Sequence, residues 1–81
     1  MLNVKILGSG CANCKRLEAL AREVVTGLGL QAELIKVTDH HEIMQYPILA
    51  TPGLVINETV VSAGRIPSKS EIEGWLKQAA G

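Results

Sequence analysis

Residues 8–15 read GSGCANCK, and this stretch decides the fold. It follows a short apolar-rich run, Leu2–Leu7, and precedes a long segment whose apolar residues recur at spacings of three and four. The glycines on either side of Ser9 are typical of a tight turn, so we predict a strand that turns directly into a helix. Cys11 and Cys14 then lie at the start of that helix.

The segment after the cysteines predicts a helix and a second strand. One apolar stripe runs along the helix and consists of Leu17, Leu20, Ala21, Val24, Val25 and Leu28. Gly29 can terminate this helix. The run Ala32–Val37 is rich in β-branched and aliphatic residues, which favours a strand. Because a helix connects the two strands, we expect them to be parallel, as in a βαβ unit.

Two possible capping boxes predict the remaining helices. Asp39 followed by Glu42 predicts a short helix that continues to about Tyr46, just before a proline. Ser68 followed by Glu71 predicts the start of the last helix.

Between these two helices lie two β-type runs, Gly53–Ile56 and residues 60–63. The three residues that join them are few enough for an antiparallel hairpin. The predicted order is then βαβαββα, an α/β fold with a four-stranded mixed sheet flanked by three helices. No repeat, low-complexity tract or linker interrupts it, so we predict one domain over residues 1–81.

The composition limits the classes of function. The 81 residues carry eight basic and eight acidic side chains, without a basic run, which excludes the electrostatic footprint of a nucleic-acid-binding protein. No stretch resembles a signal-peptide core or a membrane span, so we expect a cytoplasmic protein without membrane contact. Cys11 and Cys14 enclose too little chain to stabilise the fold by loop closure. Chemistry therefore explains the pair better than scaffolding does.

The spacing of Cys11 and Cys14 suits thiol-disulfide exchange. Unpaired backbone N–H groups and the positive end of the helix dipole favour a thiolate at Cys11, the expected nucleophile. Lys15 lies four residues after Cys11 and can add positive potential there, although an ordinary solvated lysine is the alternative interpretation. After Cys11 has attacked a substrate disulfide, Cys14 is placed to resolve the mixed disulfide. We expect no bound cofactor or metal.

The cysteine motif, the Thr51-Pro52 pair before the hairpin and Gly64 before the last helix resemble the thioredoxin-like superfamily over nearly the whole chain. The resemblance is closest to the minimal thioredoxin-like and glutaredoxin-like proteins of bacteria and archaea, also called redox-active disulfide proteins. It implies the thioredoxin-like fold and a cis-proline at Pro52 that faces the cysteines. Pro52 and the main chain of Thr51 would then bind the substrate. The resemblance also implies disulfide-containing protein substrates and an upstream reductase, and we expect a monomer.

The chain departs from the family pattern beside the cysteines and after the hairpin. Gly10 stands where thioredoxins usually have a tryptophan, and residues 12–13 are Ala-Asn where thioredoxins usually have Gly-Pro. Residues 62–65, SAGR, contain no acid of the kind that holds the glutathione carboxylate in glutaredoxins. The resemblance therefore implies neither a reduction potential nor the use of glutathione.

A third departure concerns the acid that thioredoxins keep buried on the strand before the motif. Here that strand offers only Lys5 as an ionisable group. Glu18, one turn after Cys14, is a candidate substitute, but we favour its interpretation as a solvated surface residue.

Soft-metal binding is the main alternative function. The motif also resembles the loop of heavy-metal-associated domains, in which two thiolates hold copper or zinc. Those domains have the order βαββαβ and end on a strand, whereas a capped helix is predicted to end this chain. His40 and His41 could complete a zinc site only if the fold brought them to the cysteines. A further alternative is a binding module without turnover, against which the intact cysteine pair argues.

Overall fold

The computed structural model describes residues 2–8, 10 and 12–80. Seven elements follow one another along the chain: β1 (Leu2–Leu7), α1 (Ala12–Leu28), β2 (Ala32–Val37), α2 (His40–Ile43), β3 (Gly53–Ile56), β4 (Thr59–Ala63) and α3 (Lys69–Ala80). The predicted order βαβαββα and the α/β class are therefore confirmed. Within the described residues, no helix is both long and apolar enough to cross a membrane.

β1 lies in the interior of a four-stranded sheet with the order β2-β1-β3-β4. It pairs in parallel with β2, with Leu7 opposite Val37, which confirms the predicted βαβ unit. It pairs antiparallel with β3, with Leu7 opposite Gly53. The carboxyl end of β1, which leads into the cysteine motif, therefore lies beside the amino end of β3, which Thr51 and Pro52 precede.

β3 and β4 form the predicted hairpin, and β4 begins at Thr59, one residue before the predicted start. Asn57 and Glu58 connect the strands with φ angles of 49° and 66°. Positive φ at both central residues matches the turn to the right-handed twist of the strands. The Asn57 Oδ1 also accepts a hydrogen bond from the Asn3 N–H at 2.9 Å, so the turn is attached to β1.

The first face of the sheet is covered by α1 and α3. β1 contributes its even-numbered side chains to this face, and the apolar stripe of α1 packs on them, as predicted. The buried cluster consists of Leu2, Val4, Ile6, Leu17, Ala21, Val24, Leu54, Ile56, Ile72 and Leu76. Two helices and two strands, β1 and β3, thus contribute the buried residues of this apolar layer.

The second face is covered by α2, which ends at Ile43 and not near Tyr46 as predicted. The N–H groups of Gln45 and Tyr46 donate to carbonyls three residues earlier, so the chain tightens into a turn after Ile43. The buried cluster on this face is smaller and consists of Leu7, Val37, Ile43 and Val55.

Both predicted helix N-caps are present. At α2, the Asp39 Oδ1 accepts from the His41 N–H at 3.1 Å. At α3, the Ser68 Oγ accepts from the Glu71 N–H, and the Glu71 Oε1 accepts from the Ser68 N–H, both at 3.1 Å. The second pair is a full reciprocal capping box, which satisfies two N–H groups at the start of the helix.

Candidate active site

Cys14 lies in the first turn of α1, and the residue is 5% exposed. Cys11 precedes α1 in the chain and lies outside the described residues, so its predicted role as the nucleophile stays a prediction. Gly10, between β1 and α1, has a φ of 89°. Glycine adopts this conformation without steric cost, which accounts for its presence in the turn.

Gly8 brings the end of β1 against Cys14. Its N–H donates to the Val37 carbonyl at 2.9 Å, so it extends the pairing with β2 by one residue. A β carbon at position 8 would overlap the Cys14 Sγ and lie 3.1 Å from the Cys14 Cβ. The same point is 3.9 Å from the Thr51 Cβ. Cys14 and Thr51 therefore both lie close to a position that only glycine fits.

Thr51 and Pro52 form the opposite side of this site. The peptide bond between them is cis. Thr51 is exposed and Pro52 is buried. The Gly64 N–H donates to the Pro52 carbonyl at 2.9 Å, so the end of β4 holds the loop in place. The structure thus brings together three of the predicted site residues, Cys14, Thr51 and Pro52, while their predicted roles stay predictions.

A small cavity of about 50 Å³ adjoins Cys14 on the side of α1 and β2. Its lining consists of Ile6, Gly8, Gly10, Cys14, Lys15, Glu18, Lys36 and Thr38. Lys15 is an exposed residue at the rim, which agrees with either reading of it, a solvated lysine or a source of positive potential.

Glu18 is less exposed than its interpretation as a solvated surface residue implies. Its side chain is only 19% exposed. The Glu18 Oε2 lies 3.2 Å from the Arg22 Nη2, and its Oε1 lies 3.8 Å from the Lys36 Nζ. The carboxyl group therefore lies between two cations, beside the same cavity as Cys14.

Lys36 is one of the charged residues around Glu18, a position that the sequence did not predict. In the parallel pairing Lys36 lies opposite Ile6, whose side chain belongs to the layer beneath α1. Neighbouring residues of a sheet in register point to the same face, so Lys36 projects toward α1. Only the strand register reveals this placement, because Ala32–Val37 alone does not show which face each residue occupies.

Lys5, the ionisable group of the strand before the motif, lies on the second face of the sheet and is held by two distant residues. Its Nζ lies 2.6 Å from the Glu58 Oε2 and donates to the Tyr46 hydroxyl at 2.9 Å. The Tyr46 hydroxyl donates to the Glu58 Oε1 at 3.1 Å. The hydrogen bond to Glu58, and then that to Tyr46, raise the pKa of Lys5, while the bond from Lys5 lowers the pKa of Glu58. Lys5 therefore stays charged and is engaged away from Cys14.

A second cleft, of about 340 Å³, lies beside Thr51. His40 of α2 lines it together with Met44 and Leu49, which are the large apolar side chains most open to solvent in the described part of the chain. His40 therefore lines the same cleft as Thr51 and is absent from the lining of the cavity beside Cys14. Among residues 2–8, 10 and 12–80, no group of three or more His, Cys, Asp or Glu side chains is arranged to hold a metal ion.

The fold and the sequence identify the family. The family model described as "Thioredoxin domain" matches residues 2–77, nearly the whole chain. The chain belongs to this family, and the predicted membership of the thioredoxin superfamily is confirmed. Membership of this family supports a thioredoxin-type redox function for the chain.

Two archaeal proteins named thioredoxin are similar to the chain over almost their full length. The thioredoxin of Methanothermobacter thermautotrophicus (strain Delta H) is 41% identical over 76 residues, which cover 94% of this chain and 99% of the relative. The thioredoxin of Methanocaldococcus jannaschii is 38% identical over 77 residues, which cover 95% of this chain and 88% of the relative.

Proposed function

We propose that this protein is a single-domain thiol-disulfide oxidoreductase that reduces or exchanges disulfides of protein substrates through Cys11 and Cys14. The observation that carries the proposal is the position of Cys14 in the first turn of α1, against Gly8 and close to Thr51, which Pro52 follows in the chain. A nearly buried cysteine beside an exposed residue, Thr51, suits a reaction in which the substrate docks next to that residue.

The reaction proceeds by two exchanges. The Cys11 thiolate attacks one sulfur of the substrate disulfide, a Cys11–substrate disulfide forms, and the other substrate sulfur leaves as a thiolate. The Cys14 thiol then loses its proton, and its sulfur attacks the Cys11 sulfur. A Cys11–Cys14 disulfide forms, and the second substrate sulfur leaves with the electron pair. Two electrons have passed from the protein to the substrate, and an upstream reductase must return them.

Thr51 and Pro52 are the proposed substrate-binding residues. Thr51 is exposed, and the bond from Gly64 fixes the position of the loop, so the Thr51 main chain can pair with an extended substrate segment. Met44 and Leu49 add exposed apolar surface next to Thr51. Exposed apolar side chains beside a site favour contact with another protein.

The proposed setting is the cytoplasm, where reductants keep such a cysteine pair in its active thiol form. We also propose that the protein acts as a monomer and takes disulfide-containing proteins, rather than nucleic acid or membranes, as partners. The equal numbers of basic and acidic residues support the first exclusion.

Reduction of insulin by dithiothreitol tests the function. We expect the protein to accelerate insulin precipitation and Cys11→Ser to abolish the acceleration. Cys14→Ser retains the attacking thiol and is expected to accumulate the mixed disulfide with insulin, visible by non-reducing electrophoresis. No acceleration by the wild-type protein, together with stoichiometric binding of copper(I) or zinc, would reject the redox function in favour of metal binding.

Alkylation by iodoacetamide across pH tests the two cysteine roles separately. We expect Cys11 to react at lower pH than a free thiol because the helix start favours its thiolate, and Lys15→Met to move that reaction to higher pH. Lys69→Met, at the start of α3, is the matched control and should leave the profile unchanged. Identical profiles for the wild-type protein and Lys15→Met would remove Lys15 from the mechanism.

A further inference from the structure

The cavity beside Cys14 contains one carboxyl group among its described lining residues, that of Glu18. Glu18 follows Cys14 by four positions on α1. Residues with this spacing lie on one face of a helix, with their β carbons about 5–6 Å apart. Cys14 and Glu18 thus line the same small cavity from one face of α1.

The resolving step of the proposed reaction needs a proton acceptor. A free cysteine has a pKa of about 8.5, so its thiol is mostly protonated at neutral pH, and only the thiolate attacks a disulfide. Cys14 is 5% exposed, which restricts direct proton exchange with bulk water. A base inside the cavity would relieve this restriction.

The volume of the cavity fits a relay by water. About 50 Å³ exceeds the roughly 10–15 Å³ that one water needs, and the Glu18 carboxylate supplies a polar partner for it. Proton transfer through one intervening water is within the reach of a general base.

The surrounding charges position the Glu18 carboxylate. Arg22 contacts one oxygen from the same helix, and Lys36 approaches the other from β2. Lys15 lies at the rim of the cavity. From α3, Lys69 lies along the neighbouring groove and pairs at 3.1 Å with Glu23. Glu18 is therefore fixed at the cavity with its charge balanced by nearby cations.

We propose that Glu18 accepts the proton of the Cys14 thiol through a cavity water when Cys14 resolves the mixed disulfide. The proposal rests on the proposed function. The proton passes from the Cys14 sulfur to the water, which gives one of its own protons to the carboxylate. The sulfur then attacks Cys11, and the departing substrate thiolate takes its proton from solvent. Glu18 releases its proton to solvent before the next cycle.

Stopped-flow reaction of the reduced protein with the aromatic disulfide 5,5′-dithiobis(2-nitrobenzoate) separates the two exchanges, because each releases one coloured thiolate. We expect Glu18→Gln to leave the first release unchanged and to slow the second by roughly a hundredfold at pH 7, the lower end of the range for loss of a general base. The difference should shrink above about pH 9, where the thiol ionises without help. Glu18→Asp, which keeps the carboxylate, should restore part of the rate.

Glu23→Gln is the matched control, since Glu23 lies on the same helix, is exposed, and faces Lys69. It should leave both releases unchanged. Equal second-phase rates for the wild-type protein and Glu18→Gln at every pH would overturn the proposal, as would a slowing that does not depend on pH. Failure of the wild-type protein to give two releases and to reduce insulin would instead reject the proposed function.

Discussion

The two faces of the sheet are closed by different means. On the first face, two helices of 17 and 12 residues cover a layer of fully apolar side chains. On the second face, α2 has four residues and covers only the end near the cysteine motif. Further along β1 on that face, Lys5 occupies the surface and bonds to Tyr46 and Glu58.

The difference shows how a small chain closes a sheet with few residues. Burial of apolar area stabilises in proportion to the area covered, and α2 is too short to cover β1 fully. The Lys5 side chain is only 19% exposed, and its charge is paired with Glu58 and hydrogen-bonded to Tyr46. The first face should therefore carry most of the stability, and the second face should tie the loop after α2 to the hairpin.

The largest loss of stability is expected from shortening a buried side chain on the first face. Leu17 is fully buried, so Leu17→Ala should lower the free energy of unfolding by about 2–5 kcal/mol. Ile43→Ala, on the second face, removes a similar volume from a residue that is 6% exposed and should cost less. Urea denaturation followed by circular dichroism measures both. An equal or larger loss for Ile43→Ala would contradict the unequal roles of the faces.

The second largest effect concerns the close approach of α1 to the first face. Gly8→Ala should lower the free energy of unfolding by about 1–3 kcal/mol, because the added methyl group forces Cys14 to move. It should also slow insulin reduction. Gly27→Ala is the control, since Gly27 lies in α1 and a methyl group there meets no atom within 4 Å apart from its chain neighbours and the adjacent helix backbone. That variant should gain about 0.5–1 kcal/mol from helix propensity.

A smaller effect is expected on the second face. Lys5→Met keeps most of the side-chain volume but removes the bonds to Tyr46 and Glu58, so its urea midpoint should fall by less than that of Gly8→Ala. A double-mutant cycle with Glu58→Gln isolates the coupling between the two charges. A coupling free energy of zero would show that the Lys5–Glu58 ion pair does not stabilise the fold.

The smallest effect is expected on the pH dependence of stability, through Glu71 at the start of α3. The Arg65 guanidinium, and then the Ser68 N–H, lower the pKa of Glu71 to about 2 from its ordinary 4.5. Because the folded-state pKa is depressed, the stabilisation is complete above about pH 4.5 and is lost as the pH falls toward 2. The urea midpoint of the wild-type protein should drop across this range, and that of Glu71→Gln should drop less. Parallel curves would show that the Arg65–Glu71 pair adds nothing.

Local signals in the sequence predict most of the fold. The bounds of β2 and β3 and the cap at Ser68 follow from apolar runs and from residues three apart. The end of α2 was not predicted correctly, because Asp39 and Glu42 indicate where a helix can begin but not how far it continues. Its continuation toward Tyr46 gives way to a turn that places the Tyr46 hydroxyl on Lys5 and Glu58.

The candidate site was predictable where its residues are neighbours in the chain and less so where they are not. Cys14 and the Thr51-Pro52 pair are readable as motifs. The partnership of Glu18 with Lys36 depends on the register between β1 and β2, which local periodicity does not contain. The same is true of Lys5, whose two partners are 41 and 53 residues away.

The contact between Gly8 and Cys14 also bears on oxidative damage. Oxidation of a cysteine to the irreversible sulfinic and sulfonic acids depends on the thiolate character and on the exposure of its sulfur. The Cys14 sulfur has the backbone of Gly8 against it, and the residue exposes 5% of its surface. Cys14, the cysteine proposed to resolve the mixed disulfide, is therefore protected from irreversible oxidation. A side chain at position 8 would displace the Cys14 sulfur and expose it.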